Sequence, residues 1–452
     1  MKDCLAVVLA AGKGTRMKSE KCKVMHEAAG KPVIRWITDA VREAGVEQTV
    51  LICGYGKEEL MEYYGDEVKF AVQEEQKGTG HAVMMAKPFF EEKYEYLLLM
   101  AGDMPLVTPQ SIERVYNMAK EGYGCVVFTA EYDDPTGYGR IIRGKDGSVT
   151  AIVEHKNATD EQRKIKECNA FLYCVRRELL LRCFEEMHPN ALTGEIYLTD
   201  IVELIISYGY KIGAYTVPDC RECQGINDRA QLAQAAEYLR ERINHQHMLN
   251  GVTIIDPKNT YIDAQTQIGA DTVIYPGVIL ERSVIGERVT LYQGSRIADS
   301  TIGNDTDVQN SVLLQSTVGE GTTVGPYAYL RPGTKIGNGC RVGDFVEVKN
   351  SDIDDGAKVS HLTYIGDAHV GKKVNVGCGV VFVNYDGKVK TRSHVGDHVF
   401  IGCNTNLISP VNVGDGAYIA AGSTVTEDVP PKTLCIARAR QVIKENWKDK
   451  RD

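Results

Sequence analysis

From Met1 to about Gly225, short apolar runs alternate with segments of helical spacing. Leu5 to Leu9 is a continuous, β-branched apolar run that glycines follow, which predicts a buried strand. Ile34, Ile37, Val41 and Ala44 recur at helical spacing over 32–44, and Gly45 stops the helix. Thr49 to Cys53 predicts another strand, and so does Tyr96-Leu-Leu-Leu-Met-Ala-Gly-Asp103, with Asp103 at its C-terminal end. The alternation predicts a mostly parallel sheet covered by helices, and such sheets bind ligands beyond the carboxyl ends of their strands. Asn227 to Asn250 predicts a helix, capped by Asn227 or Asp228, with Leu232, Ala236, Leu239 and Ile243 as its apolar stripe. It reads as an arm joining two domains and is too short to argue a coiled-coil seam.

After Gly251 the period changes. Val318, Val324, Leu330, Ile336, Val342 and Val348 recur every six residues, as do Val395, Ile401, Leu407, Val413, Ile419 and Val425. Glycine follows many of the apolar positions, as in Ile336-Gly337, Ile365-Gly366 and Ile401-Gly402. A sustained six-residue period predicts a parallel β-helix of hexapeptide repeats, stabilised by stacking. The register slips near Val348–Ile353 and between about Val381 and Val395. The second slip holds a loop, Val383 to Thr391, inserted in a regular coil. The domain plan is therefore 1–226, a linker helix 227–250, a β-helix 251–440 and a charged tail 441–452.

Composition adds exclusions. The chain has 452 residues, 43% hydrophobic and 25% charged, as in ordinary globular proteins. A net charge of −9 carries no basic footprint for nucleic acid or an anionic membrane. No apolar run reaches membrane-spanning length and no signal-peptide core opens the chain, so the expected place is the cytoplasm. Thirteen scattered cysteines then read as reduced small hydrophobes. Cys220-x-x-Cys223 lacks a second ligand pair at zinc spacing; His245 and His247 are nearest but fall in the predicted helix.

The candidate chemistry starts at Leu9-Ala10-Ala11-Gly12-Lys13-Gly14-Thr15-Arg16-Met17, with Lys23 behind it. Small residues let backbone N–H groups approach phosphate oxygens, and the two cations add full charge. The spacing fails the P-loop pattern, and Met17 stands where a dinucleotide fingerprint needs its third glycine. Two glycines alone would equally suit a plain strand-to-helix turn. The whole string resembles the signature of sugar-nucleotide pyrophosphorylases, which join a sugar 1-phosphate to a nucleoside triphosphate.

In the second half, His361-Leu-Thr-Tyr-Ile-Gly-Asp367, Asn384-Tyr-Asp-Gly387, Ala420-Ala-Gly-Ser-Thr-Val-Thr426 and Ile436-Ala-Arg438-Ala-Arg440 narrow the resemblance. From Cys4 to about Arg440 the chain resembles the bifunctional bacterial enzymes that make UDP-N-acetylglucosamine. These have an α/β pyrophosphorylase-like domain followed by a left-handed parallel β-helix. The resemblance implies uridylyl transfer from UTP in the first half, with Leu9, Ala10, Ala11, Gly12, Arg16, Lys23, Gln73, Gly78 and Thr79 at the nucleotide. Gly139, Glu154 and Asn169 would hold the amino sugar, and Asp103 and Asn227 the Mg²⁺. Catalysis there would be charge neutralisation by Mg²⁺, Arg16 and Lys23. It implies acetyl transfer from acetyl-CoA to glucosamine 1-phosphate in the second half, with His361 as the base, its intrinsic pKa being near neutral. Arg331, Lys349, Tyr364, Asn375 and Lys388 would bind the sugar phosphate, with Lys390 the alternative to Lys388. Asn384 and Tyr385, in the inserted loop, and Cys403, Ala421 and Arg438 would line the acetyl-CoA groove, a backbone N–H near Cys403 stabilising the thioester oxyanion. An acetyl-cysteine on Cys403 is a competing route, although direct attack by the amine needs no nucleophilic residue. The family assembles as a homotrimer, which the flat faces of a prism suit. One departure stands out: Cys22 occupies the usual proline position before Lys23, which loosens the loop but leaves Lys23 in place.

Two other readings share the architecture. A single-activity nucleotidylyltransferase with a structural β-helix gives no reason for His361, Asn384-Tyr385 and Ala420-Ala421-Gly422 together. A non-catalytic assembly subunit would be expected to lack the cation pair or the metal ligands, and Arg16, Lys23, Asp103 and Asn227 are all present.

Overall fold

A computed structural model describes residues 1–191, 193–447 and 451. They form two compact units, Met1–Leu239 and Arg240–Asp452. The predicted tail is exposed and irregular from Gln441 to Trp447, and the rest of it, residue 451 apart, lies outside the described residues.

In the first unit the seven strands of the main sheet are β1 Cys4–Ala10, β2 Gln48–Cys53, β3 Lys69–Val72, β4 Tyr96–Ala101, β5 Cys125–Glu131, β6 Glu167–Arg176 and β7 Ile212–Thr216. Their order across the sheet is β7-β5-β6-β4-β1-β2-β3. All neighbours are parallel except at β6, which runs antiparallel to β4 and β5. A hairpin of Arg140–Arg143 and Val149–Val153 attaches to β6. The sheet is thus mixed, with the predicted parallel pairing at its centre. Cys4, Ala6, Val8 and Ala10 of β1 enter one apolar cluster and Leu5 and Val7 the other. Both faces are covered, which is why the strand reads as a continuous apolar run rather than an alternation. Helices include α1 Val33–Glu43, α2 Thr79–Met85 and α3 Pro109–Lys120.

Helix α4, Arg229–Leu249, contains the division between the units. Asp228 is the cap: its Oδ1 accepts the Gln231 N–H at 2.9 Å. Asn227 stays outside the helix, with its N–H donated to Gln231 Oε1 at 2.7 Å. The buried face of the first half is Ala235 and Leu239, with Leu232 and Ala236 half-buried beside them. Ile243 and Met248 pack instead on the core of the second unit.

The second unit is a left-handed parallel β-helix of three walls, with 11, 10 and 9 strands of two to four residues each. Successive coils stack like on like: Val324, Val342, Val359 and Val376 are in register on one wall, and Leu313, Leu330, Val348 and Ile365 on the next. The first slip does not interrupt the column. Val348 and Ile353 are both buried on adjacent walls, five residues apart instead of six. The same shortened step separates Val308, Leu313 and Val318, which hid the earlier coils from a strict six-residue count. The second slip is the inserted loop, after which Ile401 still pairs with Val376 and Val395 with Val370.

Each coil buries one or two apolar side chains per wall in a narrow column. Phe382 is fully buried in this column. Phe382→Ala is expected to cost about 3–5 kcal/mol through the cavity it leaves. Chemical denaturation followed through the β-helix transition measures it.

Candidate active sites

The first site lies at the carboxyl ends of β1 and β4, a cavity of about 550 Å³. Leu9, Ala10, Ala11, Gly12, Lys23, Gln73, Gly78, Thr79, Asp103, Gly139, Glu154, Asn169 and Asn227 all line it. Arg16 does not. It stands exposed on the one-turn helix Thr15–Met17, outside the lining, because Met17 is the residue that turns into the core.

Asp103 sits two residues past the end of β4, where Gly102 N–H donates to Leu9 O at 2.9 Å and ties that turn to β1. Its carboxylate receives the Lys23 ammonium. A Cβ on Gly225 would lie 3.6 Å from Asp103 Oδ1, so the segment leading to Asn227 passes directly over the carboxylate. A carboxylate and an amide beside this cavity are hard oxygen donors, and this donor set fits a divalent cation that phosphate oxygens would complete.

Cys22 does not loosen the loop. It is buried, and its N–H donates to Glu59 Oε2 at 3.2 Å, a bond that proline could not make.

Gln73 Nε2 donates to Gly78 O at 3.2 Å and meets His81 Nδ1 at 3.0 Å, which fixes the amide plane against the cavity. Gly78 has φ +102°, and a Cβ there would stand 2.5 Å from Ile196 O. The segment around Ile196 is bound on both sides of this turn, to Lys77 O at 2.9 Å and from Gly80 N–H at 2.8 Å. It brings Glu195 and Tyr197 into the lining. Sequence reasoning gave neither residue a site role, nor Tyr138, Phe171 or Cys223, the last having been weighed only for zinc spacing. On the sugar side, Asn169 N–H donates to Gly139 O at 2.9 Å, at an irregularity in the β5–β6 pairing. Burial pushes the Glu154 carboxyl up, against a hydrogen bond from Thr199.

The second constellation lies on one wall of the β-helix and its two edges. His361 ends the strand Lys358–His361, exposed, with Nδ1 3.0 Å from Asp344 Oδ1 one coil earlier. Cys403 and Ala421 occupy later turns of the same edge: a Cβ on Gly402 would touch Ala421 N at 2.4 Å. Arg438 follows, 3.7 Å from where a Gly422 side chain would start. The other edge carries Arg331, paired with Glu347 at 2.7 Å, and Lys349. The two loop lysines differ in their surroundings. Lys390, not Lys388, faces Lys349, while Lys388 N–H is taken by Asp386 Oδ1 at 2.7 Å. The Lys390 ammonium, then partial burial and Arg331, hold the Lys349 pKa below the usual lysine value.

Tyr364 and Asn384 close in over Gly366, where a Cβ would meet Tyr364 Oη at 2.4 Å and Asn384 Nδ2 at 2.7 Å. Asn384 is buried and donates to Asp367, which also accepts from Asn350 Nδ2 at 2.6 Å. Burial alone would raise the Asp367 pKa; these amides and the two lysines lower it. Tyr385 is exposed, its hydroxyl donating to Gly387 O at 2.7 Å. Asn375 lies on the preceding wall, in register with Lys358.

Residues 6–178 match the MobA-like NTP transferase domain, and residues 315–350 and 392–427 match the bacterial transferase hexapeptide family of six repeats. Fold and sites together define a nucleotidyltransferase joined to a hexapeptide-repeat transferase. Proteins named bifunctional protein GlmU align along the whole chain. That of Acetivibrio thermocellus is 50% identical over 99% of this chain and 97% of its own length. That of Clostridium botulinum (strain 657 / Type Ba4) is 50% identical over 100% and 99%, and that of Geobacillus sp. (strain WCH70) 48% over 98% and 97%. The chain belongs to the bifunctional GlmU family.

Gly78→Ala places a side chain in a backbone region that costs about 1–3 kcal/mol for non-glycine residues. It also collides with Ile196 O. Calorimetric titration with UTP is expected to show a loss of affinity of about tenfold or more.

Proposed function

We propose that the two constellations run consecutive steps of UDP-N-acetylglucosamine synthesis. The carrying observation is that one chain holds both a cation–carboxylate cavity at the strand ends and, on the two edges of one β-helix wall, a histidine–carboxylate pair and a lysine pair.

In the first step the amine of glucosamine 1-phosphate attacks the thioester carbon of acetyl-CoA. An N–C bond forms, the C–S bond breaks, and CoA leaves as the thiol, its sulfur taking the proton that the attacking nitrogen sheds as it becomes an amide. The amine arrives as an ammonium and must lose a proton. His361 takes it through Nε2, since Nδ1 is committed to Asp344, whose carboxylate orients the ring. Arg331, Lys349 and Lys390 neutralise the sugar phosphate. Asp367 holds Asn384, and with it the inserted loop, beside them.

In the second step a phosphate oxygen of N-acetylglucosamine 1-phosphate attacks the α-phosphorus of UTP and pyrophosphate leaves. The nucleophile is already ionised at neutral pH, so positioning and charge do most of the work. Ala10 to Gly12 offer the close backbone approach, Lys23 the positive charge, and Gln73 with the Gly78 turn the uracil contact. Asp103 and Asn227 would hold Mg²⁺, which supplies charge neutralisation of the phosphates when bound.

The chain is proposed to act as a homotrimer. Tyr327, Phe345 and Leu362, each more than half exposed, occupy successive turns of the edge that bears His361, and the Tyr327 and Phe345 rings stack at 5.5 Å. An apolar ladder beside an open site suits cover by a second copy. Among the described residues no helix is long and apolar enough to cross a membrane, and the cytoplasm is the proposed location.

His361→Ala is expected to lower CoA release by about 10²–10⁴-fold and leave pyrophosphate release from pre-acetylated sugar phosphate intact. Asp103→Ala is expected to do the reverse. Separate assays of free thiol and pyrophosphate check both; thiol release that never occurs in the wild type would favour a single-activity enzyme.

A lysine with a lowered pKa loses its proton earlier as pH rises, so phosphate binding at Lys349 is lost on the alkaline side, below the ordinary lysine value of about 10.4. In Lys390→Met this loss moves to higher pH. The pH dependence of KM for glucosamine 1-phosphate is the measurement.

A further inference from the structure

Cys220–Cys223 forms a single turn of 3₁₀ helix just before the segment that carries Asn227. Within that turn Glu222 points away from the cavity and toward the start of α3. Its Oε2 accepts three hydrogen bonds there: from Thr108 N–H at 3.1 Å, Thr108 Oγ1 at 2.9 Å and Ser111 Oγ at 2.8 Å. Thr108 is itself the N-cap of α3, accepting from Ser111 N–H at 3.2 Å. A carboxylate from more than a hundred residues away therefore completes the cap of a helix whose positive end attracts it.

The segment that begins at α3 and runs backward reaches Asp103 within a few residues. The segment that runs forward from Glu222 reaches Asn227 in five. Between these points lies a second tie, Ile226 N–H to Asp103 O at 2.9 Å. The Asp103 loop and the Asn227 loop are thus pinned to each other at two places, through Glu222 and, next to the two side chains that face the cavity, through Ile226. Gly225 passes over the Asp103 carboxylate between the pins.

We propose that Glu222 is a positioning residue for uridylyl transfer: its clamp on Thr108 and Ser111 sets the separation of the Asp103 and Asn227 oxygens, and so the affinity for the divalent cation bound with nucleotide. The inference rests on the assignment of Asp103 and Asn227 as the metal pair. Three hydrogen bonds to one oxygen hold the loop where thermal motion would otherwise spread the two donors. Outer partners of this kind typically change metal affinity by about 10- to 100-fold when removed.

The test is calorimetric binding of UDP-N-acetylglucosamine to the full chain, with Mg²⁺ and again in EDTA. In the wild type Mg²⁺ tightens binding. Glu222→Ala is expected to weaken binding in Mg²⁺ by about tenfold and to leave the affinity in EDTA unchanged. Glu222→Gln keeps an acceptor oxygen for the two hydroxyls and is expected to retain more of the gain than Glu222→Ala. Acetyl transfer in both variants reports that the chain is folded. Equal weakening in Mg²⁺ and in EDTA would reduce Glu222 to a helix cap and overturn the proposal, as would an undiminished gain. Asp103→Ala separates the two levels. If it keeps the full gain, the metal pair is misassigned and the proposal falls with it. If it loses the gain while Glu222→Ala keeps it, only the role of Glu222 is wrong.

Discussion

A strand of two residues satisfies nothing by itself. It has too few side chains to bury, and its N–H and C=O groups need partners on both sides. The second unit meets this requirement by stacking, so every coil depends on the coils before and after it. This one constraint sets the geometry of the acetyl-transfer constellation. Residues 17 positions apart lie on top of each other, and functional groups come together as ladders across coils rather than as neighbours in sequence. Asp344 beneath His361 is one such ladder. Asn350, Asp367 and Asn384 form another, each bonded to the next.

The first unit solves a different problem with the same economy. Its central strands are buried on both faces, so only their ends can carry chemistry. Beyond β1 the chain has to approach phosphate closely, hence Ala10-Ala11-Gly12. Beyond β4 it turns to offer Asp103. The cation that balances Asp103 comes from Lys23, held by a loop that Cys22 anchors through its backbone to Glu59.

Legibility in the sequence follows from these two geometries. Period six with glycine at the turns exposed the β-helix, and the residues that the period picked out are all buried. Where a step shortened to five, as from Val348 to Ile353, the count failed although the packing did not. Leu9 to Gly12 and Gln73 to Thr79 were legible because they sit in short continuous strings, whereas Glu154, Asn169 and Asn227 came only through the family resemblance. Glu195 and Tyr197 were not legible: they reach the cavity through backbone pairing with Lys77 and Gly80, a long-range contact without a local signature. Asp344 carried a usable signal, one coil length before His361, but only to a reader who knew that the coil held 17 residues at that point. Arg16 stands apart: the motif string contains it, yet the fold turns Met17 inward and leaves Arg16 exposed outside the cavity lining. Which loop lysine faces Lys349 depends on the path of an inserted loop, which has no period to count.

The inserted loop is where the β-helix stops being only a scaffold. It brings one ammonium, Lys390, against another, Lys349, with Arg331 close enough to depress Lys349 further. Left alone, three cations would push the loop away from the wall. Asp367 opposes this in two ways: its charge lies beside the lysines, and its carboxylate grips Asn384 at the root of the loop. Arg392 closes the far end, reaching Asp352 and the carbonyl of Ala368. The cations are thus held in place before any phosphate arrives, and the repulsion among them is relieved when it does. An anion that binds there gains the attraction without having to gather the charges, so a prearranged cluster of cations favours an anionic ligand over a neutral one.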